Sequence, residues 1–295
     1  MADDLSPKQL HAIELIDQLI ARGGHLDPRI GCQKDGIWLN VCRNKVAEGL
    51  KARVKDPSLI NQYTTNLCGI AGFVYDWAED DPAGYAWLGI SLYEAGWGRV
   101  GRGEKLGKEV RPSRELRSSP VPYHDIGNHR GLEMNHADWI ILASLREAFN
   151  SFFTRYTADE FPLEALTTPG EVVSAFKAAG YTNIVDKTSW ASSEDFDNVL
   201  EASQKLNAGW RVLLLINMRM LKDKTIDTQA VIAPTADHWV RLQTKIELKL
   251  EGKDYIIPPF SVYTWGAVHQ IPKGMPYVLW PAFKKNYYGF VAAKY

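Results

Sequence analysis

An α+β fold is predicted for this chain of 295 residues, on three observations. Helix signals dominate the first two thirds, with starts such as Ser6-Pro7 and Thr168-Pro169-Gly170 that place a hydroxyl at the N-cap and proline just inside. The run Trp210 to Asn217 is apolar at successive positions, as expected of a strand central in a sheet. The last third holds extended runs divided by glycine and proline, so helices and antiparallel strands are segregated along the chain.

The elements follow in order. Leu10, Ile13, Leu15, Ile16, Leu19 and Ile20 form the apolar face of an amphipathic helix that starts at Ser6-Pro7 and ends at Gly23-Gly24. His25 to Asn40 reads as loop, with a short strand over Gly36 to Val41. Lys45 to Val54 is a weaker helix, broken by Asp56-Pro57-Ser58. Residues 1–60 thus form an N-terminal helical extension on a body spanning 61–295. Apolar residues after Cys68 continue to Trp77, and Ala83 to Ala95 is a further helix. Residues 104–131 read as a long connection, and a loop of that length is commonly functional. Ile140 to Phe153 repeats Leu142, Leu145, Phe149 and Phe153 on one helical face. Thr168 caps a helix that stops at Gly180, Thr182 to Val185 is strand-like, and Asp195 to Asn207 is helical. Met218 to Pro234 is loop. Strands are then expected at Thr235 to Leu242, Tyr255 to Ile257, Phe260 to Trp265 and Tyr287 to Ala292.

Composition narrows the function classes. A hydrophobic content of 45% supplies a packed core, and a net charge of -1 gives no basic surface for nucleic acid. Partners are expected among proteins, peptides and small molecules. The longest apolar runs are too short for a membrane span, and Met1 to Leu5 lacks the basic and apolar regions of a cleavable secretory signal. Synthesis in the cytoplasm is therefore expected, with export left to a signal-independent route. Three cysteines rule out a disulfide scaffold, and any single bridge should join Cys32 to Cys42. The glycine-arginine cluster Gly96 to Gly103 lacks the lysine and hydroxyl residue of a phosphate loop. His124, His129, His136 and Asp138 do not have the spacing of a helical metal pair. No metal or cofactor is expected.

The stretch Gln62 to Gly69 carries the candidate chemistry. It ends in Cys68, placed at the first turn of an apolar helix, where unpaired N–H groups and the positive helix end favour a thiolate. Cysteine is also an ordinary buried apolar residue, so a base is required to raise the functional reading. Among seven histidines, His238 stands at the entry to a strand directly after a loop, where a scaffold holds a ring rigidly.

These residues together resemble the papain-like cysteine peptidase superfamily, in particular its divergent bacterial branches of bacteriocin-processing peptidases and injected toxin or effector proteases. Gln62 lies six residues before Cys68, Gly69 follows it, and His238-Trp239-Val240 opens a strand. Tyr263-Thr264-Trp265-Gly266 occupies the place of the family's Asn-Ser-Trp-Gly. The resemblance implies a nucleophile-bearing helix packed on an antiparallel sheet, with Gln62 in the oxyanion hole and an insertion at about 96–165. It departs at the orienting asparagine, where Tyr263 has no amide. Asp254, Ser261 or Thr264 are the other candidates for that place, or the pair works as a dyad. The implied activity is cleavage of a protein target by Cys68 with His238 as base, and a cognate inhibitor or immunity protein and a specialised secretion route are the implied partners. The same acyl chemistry serves a glutamine deamidase, a transglutaminase or a peptidoglycan amidase. A binding module that keeps only the shape is the reading from another class. Trp87, Trp97, Tyr123 and Trp139 offer aromatic surface for a partner.

Overall fold

The computed structural model describes residues 5–23, 31–63, 65–101, 107–126, 129–150, 167–190, 195–222 and 235–295. Its first half is helical: α1 (Pro7–Arg22), α2 (Arg43–Lys55), α3 (Cys68–Asp80), α4 (Pro82–Ala95), α5 (Arg114–Ser118) and α6 (His136–Phe149). Two small ribbons lie among them, β1 (Gly98–Val100) with β2 (Lys108–Val110), and β3 (Tyr123–Ile126) with β4 (His129–Glu133). The second half runs α7 (Pro169–Ala178), β5 (Asn183–Asp186), α8 (Phe196–Asn207), β6 (Arg211–Ile216), β7 (His238–Leu242), β8 (Lys249–Glu251), β9 (Asp254–Ile257), β10 (Phe260–Thr264), β11 (Ala267–Ile271), β12 (Val278–Leu279), α9 (Trp280–Lys284) and β13 (Tyr287–Lys294).

Local chemistry accounts for the helix boundaries. Ser6 and Thr168 each close a capping box, with Gln9 and Glu171 returning the bond to the cap. Gly96 ends α4 in the left-handed conformation at φ 67°, which a side chain would resist. The expected strand over Gly36 to Val41 does not form. That segment is instead tied to α4 through Trp38 Nε1 to the Leu92 carbonyl at 2.8 Å and the Ile37 amide to the Tyr93 carbonyl at 3.3 Å. The Cys32–Cys42 disulfide is present and closes it. The helix expected to Phe153 is described to Phe149, and residues 151–153 lie outside the described residues, as do 24–30, 102–106 and 223–234.

Six strands form the central sheet in the order β11-β10-β7-β6-β13-β5, with every pairing antiparallel. Strand alternation divides its side chains between two cores. Leu213, Leu215, Trp239, Val291 and Ala293 join the helices α1 to α4, α6 and α7 in one buried cluster. Val212, Leu214, Val240, Leu242, Phe260 and Val262 pack on the other face with residues of α8 and α9. A separate three-stranded sheet, β12-β9-β8, lies apart from the central one. Trp139 is buried in the helical core, whereas Trp87, Trp97 and Tyr123 are exposed. No described helix is long and apolar enough to cross a membrane.

Candidate active site

Cys68 is the first residue of α3, and the helix is fixed to strand β7 at two points. At its start, the Trp239 main-chain N–H donates to Cys68 Sγ at 3.4 Å. Two turns on, Arg241 Nε donates to Asp76 Oδ1 at 2.5 Å, with Arg241 Nη2 on Glu79 at 3.0 Å. Burial pushes the Asp76 carboxyl up to about 6, against the pull of Arg241 and Arg211. Gly69 permits the close approach at the helix start. A Cβ there would lie 2.7 Å from Thr167 Cβ and 3.0 Å from Trp239 Cδ1. Thr167 also accepts the Trp239 indole N–H through its carbonyl at 2.7 Å.

His238 is the first residue of β7 and is buried, with its Nε2 in a 2.9 Å hydrogen bond to Thr264 Oγ1 on β10. Alternation explains the choice of partner. Trp239 and Arg241 turn toward α3, while His238, Val240 and Leu242 take the opposite side of the pleat, which Val262 and Thr264 share. The Trp265 ring lies 4.7 Å from the His238 ring, and His269 meets Trp265 edge-on at 5.8 Å. Trp265 (φ 51°) and Gly266 (φ 71°) form the two-residue turn between β10 and β11, so a bulky side chain occupies a left-handed position.

The remaining candidates for the orienting place are held elsewhere. Tyr263 points to the α3 side, packs its ring at a tilt against Tyr75 and donates its hydroxyl to the Ile60 carbonyl. Ser261 uses its main chain to bond Thr244 and Gln243. Asp254 is exposed on β9 of the separate sheet, opposite Glu251. Of the four, Thr264 alone meets the His238 ring. Gln62 is buried, its carbonyl accepts the Thr65 amide at 3.1 Å, and its Oε1 has no hydrogen-bond partner among the described residues.

No hydrogen bond joins Cys68 to the His238 ring. The sulfur is touched by main-chain N–H groups instead, and Nδ1 of His238 makes no hydrogen bond among the described residues. Burial pushes the Cys68 thiol up to about 11. The N–H groups of Trp239, Gly69 and Cys68 itself pull it down, and the Asp237 carboxylate adds to the rise. Burial holds His238 down, to about 3, and His269 adds to the fall. At rest the Cys68 thiol, on the α3 side of β7, and the His238 imidazole, on the Thr264 side, are therefore both neutral.

Trp239, Thr167 and Trp265 shape this site and were not legible as site residues, because their roles lie in a main-chain amide, a carbonyl and a turn conformation. Among the described residues no three metal-ligating side chains come close enough to hold an ion. No protein-family model matches the chain, and no curated protein matches it in sequence.

Proposed function

We propose that this chain is a cysteine peptidase on a papain-like plan, acting on a protein target through Cys68 and His238. One observation carries the proposal. The residue whose amide touches the Cys68 sulfur, Trp239, directly follows His238, whose ring is fixed by Thr264. Because Thr264 occupies Nε2, Nδ1 is the nitrogen available to take the thiol proton. Cys68 Sγ then attacks the scissile carbonyl, His238 returns the proton to the leaving amine, and water hydrolyses the thioester. The N–H groups at the start of α3 suit the developing oxyanion, and Gln62 is assigned there as the side-chain donor.

Substrate engagement has a defined task in this scheme. It must hydrate or polarise surroundings in which burial disfavours the ion pair, and move the His238 ring, which rests across the pleat from Cys68, until Nδ1 reaches the sulfur. The competing reading is a non-catalytic binding module, and the burial of both side chains with no bond between them favours it. Incubation with reduced, unfolded casein separates the two. New termini detected by mass spectrometry, absent with Cys68→Ala and with His238→Ala, support the peptidase. Intact casein with all three proteins supports the binding module.

A further inference from the structure

The central sheet ends in β11, which pairs with no further strand among the described residues, although the segments 57–59 and 218–221 pack near it. Ser261 directs its main chain toward the β7 side, donating its amide to Thr244 Oγ1 at 2.8 Å and accepting the Gln243 amide at 2.9 Å. Antiparallel ladders alternate, so Phe260, Val262 and Thr264 turn their main-chain groups to β11, where they meet Ile271, His269 and Ala267. The amides and carbonyls of Val268 and Gln270 consequently point away from the sheet, and they have no main-chain partner among the described residues. Natural edges are usually blunted by lysine, by other charges or by a cover. Ala267 to Ile271 contains no lysine, arginine or carboxylate, and Val268 is 58% exposed. The opposite edge differs, since β5 ends in Asp186 and packs beside α7.

We propose that the β11 edge docks an extended segment of a peptide substrate as an added antiparallel or parallel strand, held by the main-chain groups of Val268 and Gln270. The substrate role rests on the peptidase reading. The edge favours a peptide over a second copy of the chain by size. A contact confined to a five-residue strand falls well short of the roughly 20–30 residues a side of a stable protein interface, whereas strand addition binds peptides through main-chain bonds alone. Position fits the same role. The turn joining β10 to β11 carries Trp265 onto His238, so the docked strand runs toward the end of the sheet that holds His238. A strand added outside β11 lies three spacings from β7, about 14 Å, which about four extended residues span.

The test uses the full chain with Cys68→Ala, so that no chemistry contributes, and a fluorescein-labelled decapeptide of alternating threonine and valine. Saturable binding by anisotropy is expected, with Val268→Pro and Val268→Lys each weakening it at least tenfold and alternate N-methylation of the peptide doing the same. Val268→Pro deletes an amide that bonds nothing in the sheet, and the thermal midpoint verifies that each variant is folded. Absence of saturable binding, or binding by the Val268 variants as tight as that of the Cys68→Ala parent, overturns the proposal. A concentration-dependent dimer lost in Val268→Pro, without peptide binding, overturns it in favour of a second copy. An unreactive Cys68 together with edge-dependent binding removes the peptidase reading and leaves the docking edge standing.

Discussion

The Trp239 amide reaches the Cys68 sulfur across 171 positions of sequence, at 3.4 Å. This contact joins the start of α3 to the start of β7, and Asp76 with Arg241 joins them again further along. The nucleophile candidate is thus positioned by main chain, while its candidate base is positioned from the other side of the pleat by Thr264. The two anchors are independent, one on each side of β7.

Thr264→Val keeps the side-chain shape and removes the hydroxyl from His238 Nε2. Unfolding free energy should fall by about 1 kcal/mol, and peptide hydrolysis should fall at least tenfold with a displaced pH profile. Thr264→Ser should restore both, whereas Asp254→Asn, on the separate sheet, should leave the pH profile where it was.

Burial of His238 makes the fold sensitive to acid. Its ring is held down to about 3, so the folded chain binds fewer protons than the unfolded chain between that value and the ordinary histidine value of 6.5. Stability from this group is full above about 6.5 and is lost as pH falls toward 3. Asp76, pushed up to about 6, acts with the opposite sign between 3.8 and 6. Denaturant titrations of the wild type and His238→Gln at pH 7, 5 and 4 isolate the histidine. The wild type should lose more stability than the variant over that range.

Gly69→Ala tests how closely the helix start is fitted. The new methyl group would meet Thr167 and Trp239, both buried, and neither is the free end of a flexible chain. A loss of roughly 1–3 kcal/mol is expected in chemical denaturation, with a larger loss of any Cys68 reactivity than Gly170→Ala, whose Cβ meets nothing within 4 Å.

Much of this architecture is legible in local sequence. The Ser6 and Thr168 capping boxes form, Cys68 opens a helix and His238 opens a strand, because each depends on residues within a few positions. The partner of His238 is a matter of register between β7 and β10 and of pleat parity, so Thr264 could not be separated from Ser261 or Tyr263 in advance. Asp254 was drawn away by pairing with β8 and β12, which follows from which strands meet rather than from its own neighbourhood. The Trp239 amide left no trace, since every residue but proline carries one.

The central claim is that Cys68 becomes a nucleophile through His238 when a peptide occupies the site. Labelling by a peptidyl acyloxymethyl ketone, with the modified residue read by mass spectrometry, tests it most directly. Stoichiometric labelling of Cys68 in the folded protein, slowed at least a hundredfold by His238→Ala, is the predicted result. Labelling that occurs only on unfolding, or at an equal rate without His238, would contradict it.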